Sequence, residues 1–89
     1  MPVFPKAIHI RFKEKVPFCA PHEMIQLLNE KCEEFFYQNK TDLDLIFIDE
    51  YTTQRRFIDQ ASAEEWAKIF QEEADKNNVE ITDIKIFDI

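Results

Sequence analysis

The chain has 89 residues, 45% of them hydrophobic and nine of them phenylalanine, which suits one modest core and leaves no room for a second domain. A formal net charge of -7 and an isoelectric point near 4.7 set the mean surface potential against phosphate backbones, so nucleic acid is not an expected partner. Glycine is absent, which removes phosphate-binding loops, dinucleotide fingerprints, the nucleophile elbow and EF-hand loops, each of which needs backbone that only glycine adopts cheaply.

Pro2 and Pro5 keep the first five residues from pairing as a central strand, so they read as an arm. The first strand is Ala7 to Lys13, where Ile8, Ile10 and Phe12 alternate with Ala7, His9, Arg11 and Lys13. Pro21 opens the first helix, which places Met24, Ile25, Leu28, Cys32, Phe35 and Phe36 on one stripe and stops at Asn39, a candidate left-handed cap. Two β-rich runs follow, Leu43 to Asp49 and Thr53 to Asp59, joined by a short polar turn. Ser62-Ala63-Glu64-Glu65 has the spacing of a capping box, and Trp66, Ile69, Phe70 and Ala74 form the apolar stripe of the second helix. Asn77-Asn78 ends it, and Val79 to Ile89 is the last strand. The order β-α-β-β-α-β predicts an α+β domain of ferredoxin-like type, a four-stranded antiparallel sheet with both helices on one face.

Thr53-x-Arg55-x-Phe57 running into Ser62-Ala63-x-x-Trp66 resembles a block of small uncharacterised phage and marine bacterial α+β proteins. That resemblance implies this same fold and no known chemistry. Met1-Pro2-Val3-Phe4 looks like the start of a tautomerase-superfamily protein, which would make the freed amine of Pro2 a general base. Against it, Pro5 interrupts the strand that such a proline should open. Cys19-x-x-His22 has ligand-like spacing, but Cys32 lies roughly 15 Å from His22 along the same helix, too far to share a tetrahedral site. The two thiols are likewise separated by roughly 20 Å of helical rise, beyond the reach of a disulfide, so both are expected reduced. Asp42, Asp44, Asp49 and Glu50 read as solvated strand ends. No cofactor or metal is expected.

His9, Arg11, Lys13, Lys85, Phe87 and one or both of Arg55 and Arg56 could gather on the open sheet face, as in RNA-recognition domains of this topology. The Gly-aromatic signature of those domains is impossible here. A different feature points to protein partners. Leu43, Leu45 and Phe47 occupy one side of the second strand while Ile46 and Ile48 occupy the other, and the last strand repeats this with Ile84 and Ile86 against Phe87 and Ile89. A strand apolar on both sides is normally covered on both, and two helices cover only one. The expectation is a homodimer formed through the sheet, with Ile46, Ile48, Phe87, Ile89, His9 and Arg11 at the interface; Val3 and Phe4 folding back is the competing cover. The bilayer-spanning length of ~20 apolar residues is not approached and no signal-peptide pattern opens the chain, so the expected location is the cytoplasm. The sequence thus reads as a non-enzymatic protein-interaction domain, with a Pro2 enzyme or an RNA-binding domain as the alternatives.

Overall fold

A computed structural model describes residues 4–16 and 20–89. The elements are β1 (Lys6–Phe12), α1 (His22–Tyr37), β2 (Ile46–Phe47), β3 (Thr52–Phe57), α2 (Gln60–Lys76) and β4 (Ile81–Asp88). The architecture is α+β, with two helices and one four-stranded antiparallel sheet in the order β2-β3-β1-β4. The clean alternation of β1 gives it the central place. Ile8, Ile10 and Phe12 are buried, and both edges of the strand are paired: Ile8 lies opposite Arg55 on one side and Ile86 on the other. Met24, Leu28, Cys32 and Phe35 from α1 and Ala63, Trp66 and Ala74 from α2 join that row in one core.

Trp66 holds the aromatic centre of this core, with ring centroids 5.6 Å from Phe35, 5.9 Å from Phe57 and 6.1 Å from Phe70. The helix that carries it begins two residues before the predicted box. Asp59, not Ser62, is the N-cap: its carboxylate accepts the backbone N–H of Ser62 at 2.8 Å, and Ser62 is buried in the first turn. An aspartate caps as well as a serine does and was available three residues earlier, so the helix starts there. Glu65, expected to reach back to the cap, pairs instead with Lys40 at 3.2 Å.

Both helices end alike. Asn39 (φ 61) and Asn78 (φ 58) take the left-handed conformation, and the N–H groups of Lys40 and Val79 return to the carbonyls of Phe35 and Ala74 at 2.8 Å each. These are Schellman closures, made with asparagine because the chain has no glycine to offer. At its start α1 has Pro21 as the flanking N-cap residue, one place before the first helical position predicted for it.

The second strand is far shorter than predicted, two residues in place of Leu43 to Asp49. The Asp42 carboxylate accepts the N–H of Asp44 at 3.2 Å, and Leu43 between them has φ 68, so the chain turns where alternation suggested extension. Pairing resumes only at Ile46 and Phe47, opposite Gln54 and Thr53. At the other end of the hairpin the Asp49 carboxylate accepts the N–H of Tyr51 at 2.8 Å. Asp42 and Asp49 are therefore turn-forming groups as well as solvated strand ends.

Candidate functional site

Residues directly opposite one another in an antiparallel sheet share a face. On the face away from the core, Ile46, Gln54, His9 and Lys85 form one row across the sheet, and Arg56, Ala7 and Phe87 form the next. The period of two carries Arg11 to the same side, and Ile48 and Ile89, one residue beyond β2 and β4, continue their edges through backbone N–H bonds to the carbonyls of Thr52 and Pro5 at 2.9 Å each. The six residues expected at an interface thus share one face. Ile46, Ile48, Phe87 and Ile89 are 40%, 47%, 37% and 63% exposed. They stand at its two edges, with a polar strip between.

That strip is already organised. The His9 ring nitrogen Nε2 is 2.7 Å from Oε1 of Gln54, and its ring meets Phe87 edge-on at 4.7 Å. Arg11 lies 5.5 Å from the Tyr51 ring and 3.8 Å from the Asp49 carboxylate. Asp49 is held below the ordinary carboxylate range chiefly by the Tyr51 N–H, with a smaller contribution from Arg11. Ala7, fully buried, is flanked by Phe87 and Arg56.

Of the arginine pair, only Arg56 belongs to this face. Arg55 lies opposite Ile8, on the side of the helices. The alternation of Thr53, Arg55 and Phe57 carries that information: a strand that buries Phe57 sends Arg55 the same way. The Arg55 Nη1 donates to the Cys32 thiol at 2.9 Å and to the Leu43 carbonyl at 3.3 Å, and the guanidinium carbon lies 5.4 Å from the centre of the Trp66 ring. Burial pushes the Cys32 thiol up in pKa, against the opposing pull of Arg55.

Arg55 borders a cavity that sequence reasoning missed. α2 packs closely on β1, β3 and β4, whereas no α-carbon of α1 comes within 8 Å of one in a strand. The gap beneath α1 is incompletely filled and leaves about 230 Å³. Its walls are apolar except for Asn29, Thr53 and Arg55. A cavity of this kind forms by distant side chains failing to meet, which leaves no local pattern in the chain.

Pro2 and Cys19 lie outside the described residues. His22 is exposed in the first turn of α1. Among the described residues no group of three or more His, Cys, Asp or Glu side chains is placed to hold a metal ion, and no helix is long and apolar enough to cross a membrane. The chain matches no protein-family model, and no curated protein matches it.

Proposed function

We propose that this chain is a ferredoxin-like interaction domain of the cytoplasm, without a catalytic role, that pairs with a second copy of itself through the open face of its sheet. The fold reading is supported by connectivity. β1 and β3 are central and adjacent, β2 and β4 are the edges, and α1 and α2 link β1 to β2 and β3 to β4.

The observation that carries the interaction reading is the exposure of Ile46, Ile48, Phe87 and Ile89 on the face opposite the core. Scattered apolar residues are ordinary on a surface, but these gather as one pair at each edge of a single face. A two-fold axis running along the strands lays β2 of one copy over β4 of the other, so each edge pair covers its counterpart. His9 and Gln54 in the middle already satisfy one another, which lowers the cost of taking them out of water. The test is sedimentation or light scattering over a wide concentration range. The expected result is a dimer, converted to monomer by Ile46→Asp combined with Phe87→Asp. A monomer at every concentration would overturn the reading, as would a dimer indifferent to both changes.

A further inference from the structure

We propose that the cavity beneath α1 is a binding site for a small apolar monocarboxylate, a single ring or a short chain, whose carboxylate is received by Arg55. The size follows from the space. About 230 Å³ exceeds the ~150 Å³ of a dry apolar cavity that admits a benzene-sized guest, and at ~30 Å³ per water it holds a ligand of only about eight heavy atoms.

The apolar body follows from the walls, where Ile8, Ile10, Met24, Leu28, Phe47 and Trp66 offer methyl, thioether and ring surface. Water filling such a space would find few partners. The mouth is on the side of β2, because Ile25, Leu45 and Phe47 line the cavity and are also 37%, 45% and 55% exposed.

The charge follows from Arg55. A guanidinium has five N–H donors in a fixed fork that matches a carboxylate. Among the described residues, Arg55 places its hydrogen bonds on a thiol and a carbonyl, both from Nη1, and no carboxylate lies within ion-pair distance. This holds in a chain with 18 Asp and Glu, where Lys6, Arg11, Lys13, Lys15 and Lys40 each have an acidic partner. The arginine is thus partly buried beside an apolar space with most of its donors unspent. A single cation balances a single negative charge; a phosphate dianion brings a second charge that no second cation in the cavity's lining balances, and meets the repulsion of a net charge of -7.

Hexanoate, benzoate, hexanol and hexyl phosphate are the probes, titrated against the full chain by calorimetry and by the fluorescence of Trp66, the single tryptophan and a wall of the cavity. The expected result is saturable one-to-one binding of hexanoate or benzoate with a change in Trp66 emission, at least roughly tenfold tighter than hexanol. Arg55→Gln removes that preference and leaves hexanol binding in place, while Arg55→Lys keeps part of it. No saturable carboxylate binding at millimolar concentration would overturn the proposal. So would hexanol binding as tightly as hexanoate, or hexyl phosphate binding more tightly. The comparison of acid with alcohol uses the unmodified protein, so it decides the matter even where Arg55→Gln fails to fold. Both proteins are also sedimented, since loss of dimer and loss of ligand are separate outcomes.

Discussion

The Asp59 carboxylate lies 2.8 Å from the backbone N–H of Ser62 and holds the first turn of α2 in place. The Ser62 backbone and hydroxyl together hold the Asp59 carboxyl below its ordinary pKa of 3.8. A carboxyl lowered in the folded state adds stability at pH values above 3.8 and loses that contribution as the pH falls through its folded-state value. Denaturant midpoints of the wild type and Asp59→Asn should therefore differ in slope only below about pH 4, with the variant the less pH-sensitive. Asp59→Ala should lower the midpoint at neutral pH, and Asp59→Ser should restore most of it.

Trp66→Ala should be the most damaging single change in α2, at about 3 to 5 kcal/mol, because it empties the place where Phe35, Phe57 and Phe70 converge. Urea unfolding measures it. Trp66→Phe should cost clearly less, since a ring still occupies the site.

The left-handed positions give a gain. Asn78→Gly should stabilise by roughly 0.5 kcal/mol, and Asn78→Ala should destabilise by about 1 kcal/mol, because a β-carbon without a local hydrogen-bonding group is disfavoured there. Leu43, an aliphatic residue at φ 68 and half exposed, should tolerate Leu43→Asn with no loss, or with a gain of up to about 1 kcal/mol. Thermal melts of the three variants check the set.

Cys32 should resist a thiol reagent in the folded protein. It is buried, and its pKa is raised by that burial, so little reactive thiolate is accessible. In a Cys19→Ser background, labelling should proceed only as fast as the protein unfolds, and mild denaturant should accelerate it. Rapid labelling in native buffer would mean that α1 opens on its own.

Much of this fold was legible in the chain. The alternation from Ile8 to Phe12 and the stripe Trp66, Ile69, Phe70, Ala74 are period signals that depend only on neighbours, and both elements formed where they pointed. The asparagines that end the helices were legible for the same reason. The second strand was not, because Leu43 to Asp49 carries strand composition while the Asp42 side chain bends the backbone at its start. Composition reports preference, and a local hydrogen bond outweighed it. The open face was readable from the order of elements, which puts both helices on one side of a four-stranded sheet. The cavity was not, since it depends on how far α1 stands from β1, a distance set by side chains widely separated in sequence.

β1 and β4 are hydrogen-bonded along nearly their whole lengths, from Lys6 opposite Asp88 to Phe12 opposite Ile81. The strand at the centre of the sheet is therefore completed by one made long after it. While the ribosome extends the chain, Ile8, Ile10 and Phe12 emerge early with both edges unpaired, and the edge that β4 fills stays open until residues 81–88 have cleared the exit tunnel. A contact pattern of such wide sequence separation slows folding and lengthens the time for which an apolar strand is open to wrong partners. A stop codon placed after Asn78 would remove few core side chains, yet it would leave that central strand half-zipped and make the fragment a substrate for chaperones and proteases.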